Sequence, residues 1–461
     1  MDQSELFAFV KSDSIKNLIC AADIKNRSDI EKAEADGYSV GYTNDELKEI
    51  FPNIPSDKIW YNNGFHKTFY YDNEKLIIFP LNLYGKQKLE SFKDMESKTI
   101  EYAETIENDM NNGDFYFAFI ALPDKMRMEM LDMLVRKRPS EKLYEVFTDF
   151  YTTADYGCDA LSNESIRILH NMKSEKQKKL TQKKLKNLPK QVTLYRGQGD
   201  KSSNWDNAVS WTTDINVANF FASRMNSHSA SIIIAEVEKC NIIEFFESES
   251  ECIVLPENTY QTREIEIYGM DFVEKQLPQI AYEYRQYRDM AYDNLDFTID
   301  DAEHGRLHAY RVLMNALILS NIKRLSSEDT EMLCNAAVFH DTRKCHNGID
   351  SEHGMASAEY YKSFAEEFPQ YITYSKTAEQ LIKYHCLPDE EGKQAMDESK
   401  HYLLDIFKDA DALDRVRFGI RDLDINQLRT EEAKSMTMVS NLLLQGIKEP
   451  EPDIGQEMNM S

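Results

Sequence analysis

A multidomain α+β protein is what this sequence predicts, and three observations predict it. Its 461 residues suffice for two to four domains, about three by ordinary domain size. Short β-rich runs (VTLYRG, AVSWTTD, SIIIAEVE, CIVLP, REIEIYG) cluster between two regions of helical pattern. A composition of 42% hydrophobic and 11% aromatic residues lets each domain bury a core. The elements follow in the order helical, uncertain, α+β, all-α, with no internal repeat.

Residues 1–52 read as a small helical unit. Phe7, Val10, Ile15 and Leu18 fall at helical spacing, and a turn follows at Gly37-Tyr38. A second helix starts at Thr43-Asn44-Asp45-Glu46, a capping residue followed by an acidic first turn. The opening amphipathic helix, the segment Ala33 to Tyr38 (AEADGY) and the acidic helix carrying Leu47 resemble the nitrogen-fixation-type leader-peptide domain. An ordinary helical hairpin is the alternative. Residues 53–112 form an uncertain α/β connecting region: a strand-like, aromatic run (KTFYYDNEKLIIFPLNLYG), then a charged helical stretch, with no motif that carries chemistry.

From residue 113 to 275 the pattern is α+β. Helical text (DKMRMEMLDMLVRK, EKLYEVFTDFYTTA) and a lysine-rich helix over Lys173 to Lys190 lead into the β-runs. The lysine run reads as one solvated helix face. Residues 276–446 are almost wholly helical, and the acidic, Pro-containing tail 447–461 is expected to be disordered.

Bulk charge excludes some partners. The formal net charge of -26 argues against nucleic acid or an anionic membrane, because phosphate backbones need clustered Lys and Arg. A local basic pocket for a small phosphate stays compatible with it. The charged start MDQSELFAFVKSDS does not read as a signal peptide, and no run of 18 apolar residues is present. Seven cysteines, an odd number without a CxxC pair, suggest neither a disulfide framework nor a zinc finger. The cytoplasm is the expected compartment, with delivery into another cell left open.

Three pieces in the middle region carry chemistry together. Arg196 ends the strand LYRG; Ser210, Trp211 and Thr212 sit in the next strand, before a helix beginning near Asp214; Glu249 and Glu251 precede the apolar run CIVLP. Singly, each is commonplace: a surface Arg, a β-ladder Ser, a solvated acidic pair. In this order they resemble the Arg-Ser-Glu class of mono-ADP-ribosyltransferases over residues 114 to 270. Tyr195 precedes the Arg, the helix carries Ala218, Phe220, Phe221 and Ala222, and Pro256 closes the hydrophobic strand.

The resemblance implies a split β-sandwich with a helical lobe, and NAD as the cofactor. It assigns NAD binding to Arg196, Tyr195, Gly197, Ser210, Thr212 and Glu251. Glu251 would bond the ribose 2'-hydroxyl, Arg196 would clamp the dinucleotide, and Ser210 and Thr212 would order both. Glu249, on the same strand face, would deprotonate an acceptor guanidinium. The residue types suit the task, since a fixed carboxylate stabilises the positive charge that develops when the nicotinamide bond breaks. Glu247 leaves a second register for the acidic pair open. Trp211 departs from the family's usual small residue.

Seven of the ten histidines lie between His304 and His401. His308 (HAYRVL), His340 and Asp341 (FHDTRK), His353 (HGMASA), His385 (KYHCLPD) and Asp411 (KDADALDR) form a series H…HD…H…H…D. A lone histidine is usually a filler. Adjacent His340 and Asp341, however, can reach one cation, and imidazole with carboxylate suits Mn, Fe, Zn or Mg. The series resembles the HD phosphohydrolase superfamily, an all-α fold. By that pattern His308, His340, Asp341 and Asp411 are the core metal ligands, Asp411 being preferred to Asp409 for its ADxL slot. His353 and His385 match positions for a second metal or a substrate phosphate. Arg343, Lys344 and Arg415 would add positive charge, and His304, one turn before His308, is either a proton donor or exposed.

The expected function is an NAD-dependent mono-ADP-ribosyltransferase with a protein acceptor, the Glu at 249 pointing to arginine as target residue, joined to a metal-dependent HD phosphohydrolase. The latter would act on a nucleotide or on the ADP-ribose product. The alternative is a non-catalytic NAD sensor that gates the HD enzyme. Neither nucleic acid nor membrane is an expected partner.

Overall fold

The computed structural model describes residues 14–38, 40–62, 68–81, 89–153, 158–200, 202–224, 229–300, 304–346, 348, 350–419 and 421–447. Phe7, Val10 and the tail from residue 448 lie outside the described residues. The chain divides into two compact units: Met1–Asn187 with Ile243–Phe246, and Leu188–Ile242 with Glu247–Ser461.

The first unit holds an antiparallel sheet ordered β1 (Ile19–Cys20), β2 (Ile59–Tyr61), β3 (Thr68–Asp72) and β4 (Ile77–Leu81). Its helices are α1 (Arg27–Ala35), α2 (Asn44–Ile50), α3 (Leu89–Asn111), α4 (Tyr116–Ile120), α5 (Asp124–Lys137), α6 (Leu143–Tyr151), α7 (Asn163–Asn171) and α8 (Glu175–Lys184). Thr43 caps α2 in a capping box with Glu46, as the text TNDE requires. Residues 14–52 are not only helical: Ile19 and Cys20 pair with Tyr61 and Trp60, so this stretch completes a sheet.

The lysine run is not a uniformly solvated face. Lys173 is buried, and its Nζ donates to Thr181 Oγ1 (2.7 Å) and Ile243 O (2.6 Å). The physical reason is the buried Glu244 carboxylate, which lies 3.5 Å from Lys173 Nζ and accepts from Lys184 Nζ at 3.0 Å. A buried charge needs such partners.

In the second unit come β5 (Gln191–Gly199), β6 (Ser210–Thr212), α9 (Ile215–Ser223), β7 (Ala230–Glu238), β8 (Ile242–Phe246, all but its first residue assigned to the first unit), β9 (Glu251–Val254) and β10 (Tyr260–Ile267). The sheet order runs β10-β7-β5-β6-β9, and the recorded pairings are antiparallel. Helices follow: α10 (Met270–Asn294), α11 (Arg306–Lys323), α12 (Ser327–Phe339), α13 (His353–Glu367), α14 (Lys376–Tyr384), α15 (Asp389–Ala395), α16 (His401–Leu413), α17 (Glu431–Ser435) and α18 (Thr437–Gly446).

Sheet and helices of this unit share one apolar core. A single buried cluster runs from Ile215 and Ala218 of α9, through Ile232 and Ile265 of the sheet, to Leu313, Phe339, Phe407 and Leu443. Polar contacts reinforce it. Thr437 Oγ1 donates to Asn219 Oδ1 at 2.6 Å, and Tyr268 N donates to Ser435 O at 2.7 Å. No helix among the described residues is long and apolar enough to cross a membrane.

Candidate functional site

The sheet brings the first group of predicted residues together. Arg196 lies inside β5 rather than at its end, three residues before Gly199. Tyr195 faces Thr212 across the β5–β6 ladder, and Thr212 faces Glu251 across β6–β9. Side chains alternate along β6, so Ser210 and Thr212 share one face while Trp211 turns into the core. Trp211, which departs from the family's usual small residue, is nearly fully buried, and its indole donates to Ala208 O at 3.3 Å.

Contacts link the three key residues in series. Arg196 donates from Nη1 to Ser210 O (2.8 Å) and from Nη2 to Ser203 Oγ (2.9 Å). Ser210 Oγ donates to Glu251 Oε1 at 2.5 Å. Burial, with the Glu249 charge, pushes the Glu251 carboxyl up to about 7 against the opposing pull of Ser210 and Arg196. Thr212 Oγ1 donates to Glu249 O (2.8 Å) and accepts from Asp214 N (3.1 Å), so it positions the turn and the cap of α9.

Glu249 departs from the expectation. It stands in a short 3-10 turn (Glu247–Glu249), and β9 begins only at Glu251. Ser250 between them adopts φ +49°, a left-handed conformation costly for a residue with a Cβ. The two glutamates therefore do not share a strand face, and Glu249 instead pairs with Arg421 at 3.0 Å.

Gly197 is required by packing. A Cβ there would meet Ala218 O at 2.1 Å and Ala222 N at 2.5 Å, both backbone atoms of α9.

The helical part of the same unit assembles the second group. His308 lies on α11 and Asp411 on α16; His340 and His385 cap the C-termini of α12 and α14; His353 opens α13. His308 Nε2 stands 3.0 Å from His340 Nε2, 3.3 Å from Asp411 Oδ1 and 3.7 Å from Asp341 Oδ2. His353 Nε2 stands 2.9 Å from His385 Nε2, and the two lie 3.1 and 3.4 Å from Asp341 Oδ1. Asp341 thus faces both imidazole pairs, with Oδ1 near His340, His353 and His385 and Oδ2 near His308.

Tautomers decide what these pairs can hold. Nδ1 of His340, His353 and His385 each faces a backbone carbonyl, at 2.9, 2.7 and 2.7 Å, which only accepts. Nδ1 of His308 faces Asp414 Oδ2 at 2.7 Å. The proton therefore sits on Nδ1, and in each pair two Nε2 lone pairs confront one another. A cation, or an extra proton, between them would relieve that repulsion. The donor set of imidazole nitrogens and carboxylate oxygens fits a divalent metal in both places.

Electrostatics suit ligand roles for His340, Asp341 and Asp411, whereas at His308 they favour a bound proton. Burial pushes His340 down to about 3, which keeps it neutral. Burial opposes the Asp341 carboxylate, but His340, His304, His353 and His385 outweigh it and hold Asp341 well below the usual carboxylate range. Asp411 is held low in the same way, chiefly by His308. For His308, burial and Arg417 oppose protonation, yet bonds to Asp411 and Asp414 prevail and raise it.

Several residues were missed or misplaced by sequence reasoning. Asp414 orients His308 and is itself held by the buried Arg311, at 2.5 Å from Nε. Its signal was its place three residues after Asp411, on the same helical face. Asp409, the rejected alternative, accepts from Arg429 N, Thr430 N and Thr430 Oγ1, each at 2.8 Å, and so fastens a loop. Cys386 Sγ lies within 4.8 Å of donor atoms of His353 and His385. Gly354 permits that approach, since a Cβ would stand 2.7 Å from Lys383 O.

His304 precedes α11 instead of riding on it, yet its Nδ1 is 3.4 Å from Asp341 Oδ2. Arg343 does not serve the site. It stacks 3.4 Å over the Tyr360 ring and donates to Asp296 O at 2.5 Å. Its place is taken by Arg417, which with Lys344 and Arg415 lines a cavity of about 640 Å³ over the histidines and Asp411.

Comparison with protein-family models, with curated proteins and with solved structures found no match.

Proposed function

We propose that the chain is an NAD-dependent mono-ADP-ribosyltransferase joined to a metal-dependent HD-type phosphohydrolase. The transferase half rests on the contact series Arg196–Ser210–Glu251, in which Arg196 bonds the Ser210 carbonyl and the Ser210 hydroxyl bonds Glu251. The hydrolase half rests on the two imidazole pairs facing Asp341.

In the first site, the Arg196 guanidinium offers a planar fork to pyrophosphate oxygens. Glu251, oriented by Ser210, accepts from the ribose hydroxyl and stabilises positive charge arising at C1'. In the second site, His308, His340, Asp341 and Asp411 would hold one divalent cation, and His353 and His385 with Asp341 another. Metal bound there supplies an acidified water and neutralises phosphate oxygens. Arg417 and Lys344 bind the phosphate ester from the cavity wall. Asp414 keeps His308 in its ligand tautomer. The two activities are proposed to be coupled, the second site cleaving a phosphate bond in the adduct made at the first.

Purified protein given NAD, with nicotinamide release and metal content measured, tests the reading. Loss of nicotinamide release in Glu251→Ala is expected; release that survives removes the transferase. Identical final products from wild type and Asp341→Ala would remove the coupling. A second reading, an NAD sensor gating the hydrolase, is favoured by the apolar core that the sheet shares with the helices. NAD binding without turnover would select it.

A further inference from the structure

The loop after α16 belongs to both sites. Asp422 and Asp424 line the cavity over the histidines. Asp424 Oδ1 also accepts from Asn216 Nδ2 of α9 at 3.0 Å, and Ile425 N donates to Asn216 Oδ1 at 2.8 Å. Between these anchors and Gly419, Arg421 extends toward the sheet. Its guanidinium carbon lies 4.5 Å from the centre of the Phe220 ring, and Nη2 donates to Glu249 Oε1 at 3.0 Å.

Stability does not account for this arrangement. Arg421 and Glu249 keep 56% and 34% of their side-chain surface exposed, and such solvent-screened pairs add little to stability. The geometry instead presents a guanidinium, lying over an aromatic ring, to a carboxylate two residues from Glu251. A carboxylate within hydrogen-bond reach of a nucleophilic nitrogen is how a general base is placed.

We infer that Arg421 is an ADP-ribose acceptor within the same chain, with Glu249 its base. The inference rests on the transferase reading. In the step, a nitrogen of the Arg421 guanidinium gives up one proton to Glu249 and bonds to ribose C1'. The C1'–nicotinamide bond breaks, and nicotinamide leaves with the bonding pair as a neutral molecule. Glu249 passes its proton to solvent, so one NAD yields one adduct, one nicotinamide and one proton. The adduct's pyrophosphate then hangs from the loop that walls the metal cavity, which gives the second site a substrate in cis.

The experiment is adduct mapping on the full chain incubated with NAD alone. Mass spectrometry of peptides would read ADP-ribose, or the phosphoribose left after pyrophosphate cleavage. The expected result is modification of Arg421, at a fraction independent of protein concentration, and its loss in Arg421→Lys, which keeps the charge. Wild-type mapping needs no variant to fold. Nicotinamide release with adducts only on other residues, or none on the chain, overturns the acceptor while leaving the transferase standing. An absence of nicotinamide release overturns both.

Discussion

Glu251 sets the pH behaviour expected of the first site. Burial and Glu249 lift its carboxyl to about 7, and only the ionised form stabilises charge at C1'. NAD turnover should therefore rise with pH through about 7, and kcat/KM against pH measures it. Glu249→Gln removes a neighbouring negative charge and should move that midpoint down; an unmoved midpoint would count against Glu251 as the titrating group. Stability runs the opposite way. The folded value exceeds the ordinary 4.5, so the contribution is present below 4.5 and is lost as pH rises through about 7. Glu251→Gln should raise the melting temperature at pH 8 and leave it unchanged near pH 4. Asp409 and Asp411 of KDADALDR divide between structure and ligand roles. Asp409→Ala leaves three donors without an acceptor and should cost about 3 kcal/mol, with metal content kept. Asp411→Ala should lose metal while the metal-free protein unfolds at nearly the same urea concentration.

At the scale of elements, two glycines set how closely segments meet. Gly197 lets α9 lie against β5, which in turn carries Arg196. Both clashing atoms are backbone, so no side chain can swing aside. Gly197→Ala should destabilise by about 3 kcal/mol, at the upper end of overpacking costs, in chemical denaturation; a cost under about 1 kcal/mol would mean that α9 slides freely. Gly354 does the same for α13 against the end of α14, and brings His353 to His385. The sequence showed His353 and His385 as separate histidines. It did not show that the glycine following His353 makes their meeting possible.

Two compact units, each with its own elements, make up the whole molecule, and the second contains both candidate sites. The residues expected to form one transferase domain are shared between them: the helical stretch 114–187 belongs to the first unit and the sheet to the second. Because β5, β7 and α9 share a core with α11, α12 and α16, the second unit should unfold as one. Chelation by EDTA should then lower protection of sheet and helices together in hydrogen exchange. A metal present at 100 times its dissociation constant contributes about 2.7 kcal/mol. Sheet amides that keep their protection while α11 and α12 open would show the two parts to be independent.

Much of this protein was legible in the order of its residues. Helix starts, the β-rich middle, the Arg-Ser-Glu series and the His/Asp series are local patterns, and local patterns survive in a string of letters. Helical periodicity and capping place His308 and Asp411 on helices before any fold is known. What folding alone decided is which distant groups touch. The roles of Asp414 and Asp409, the diversion of Arg343 to Tyr360, the turn that takes Glu249 off its strand, and the reach of Arg421 all depend on packing between segments far apart in sequence. A buried charge must find a partner wherever the core brings one, and no spacing rule records where that is.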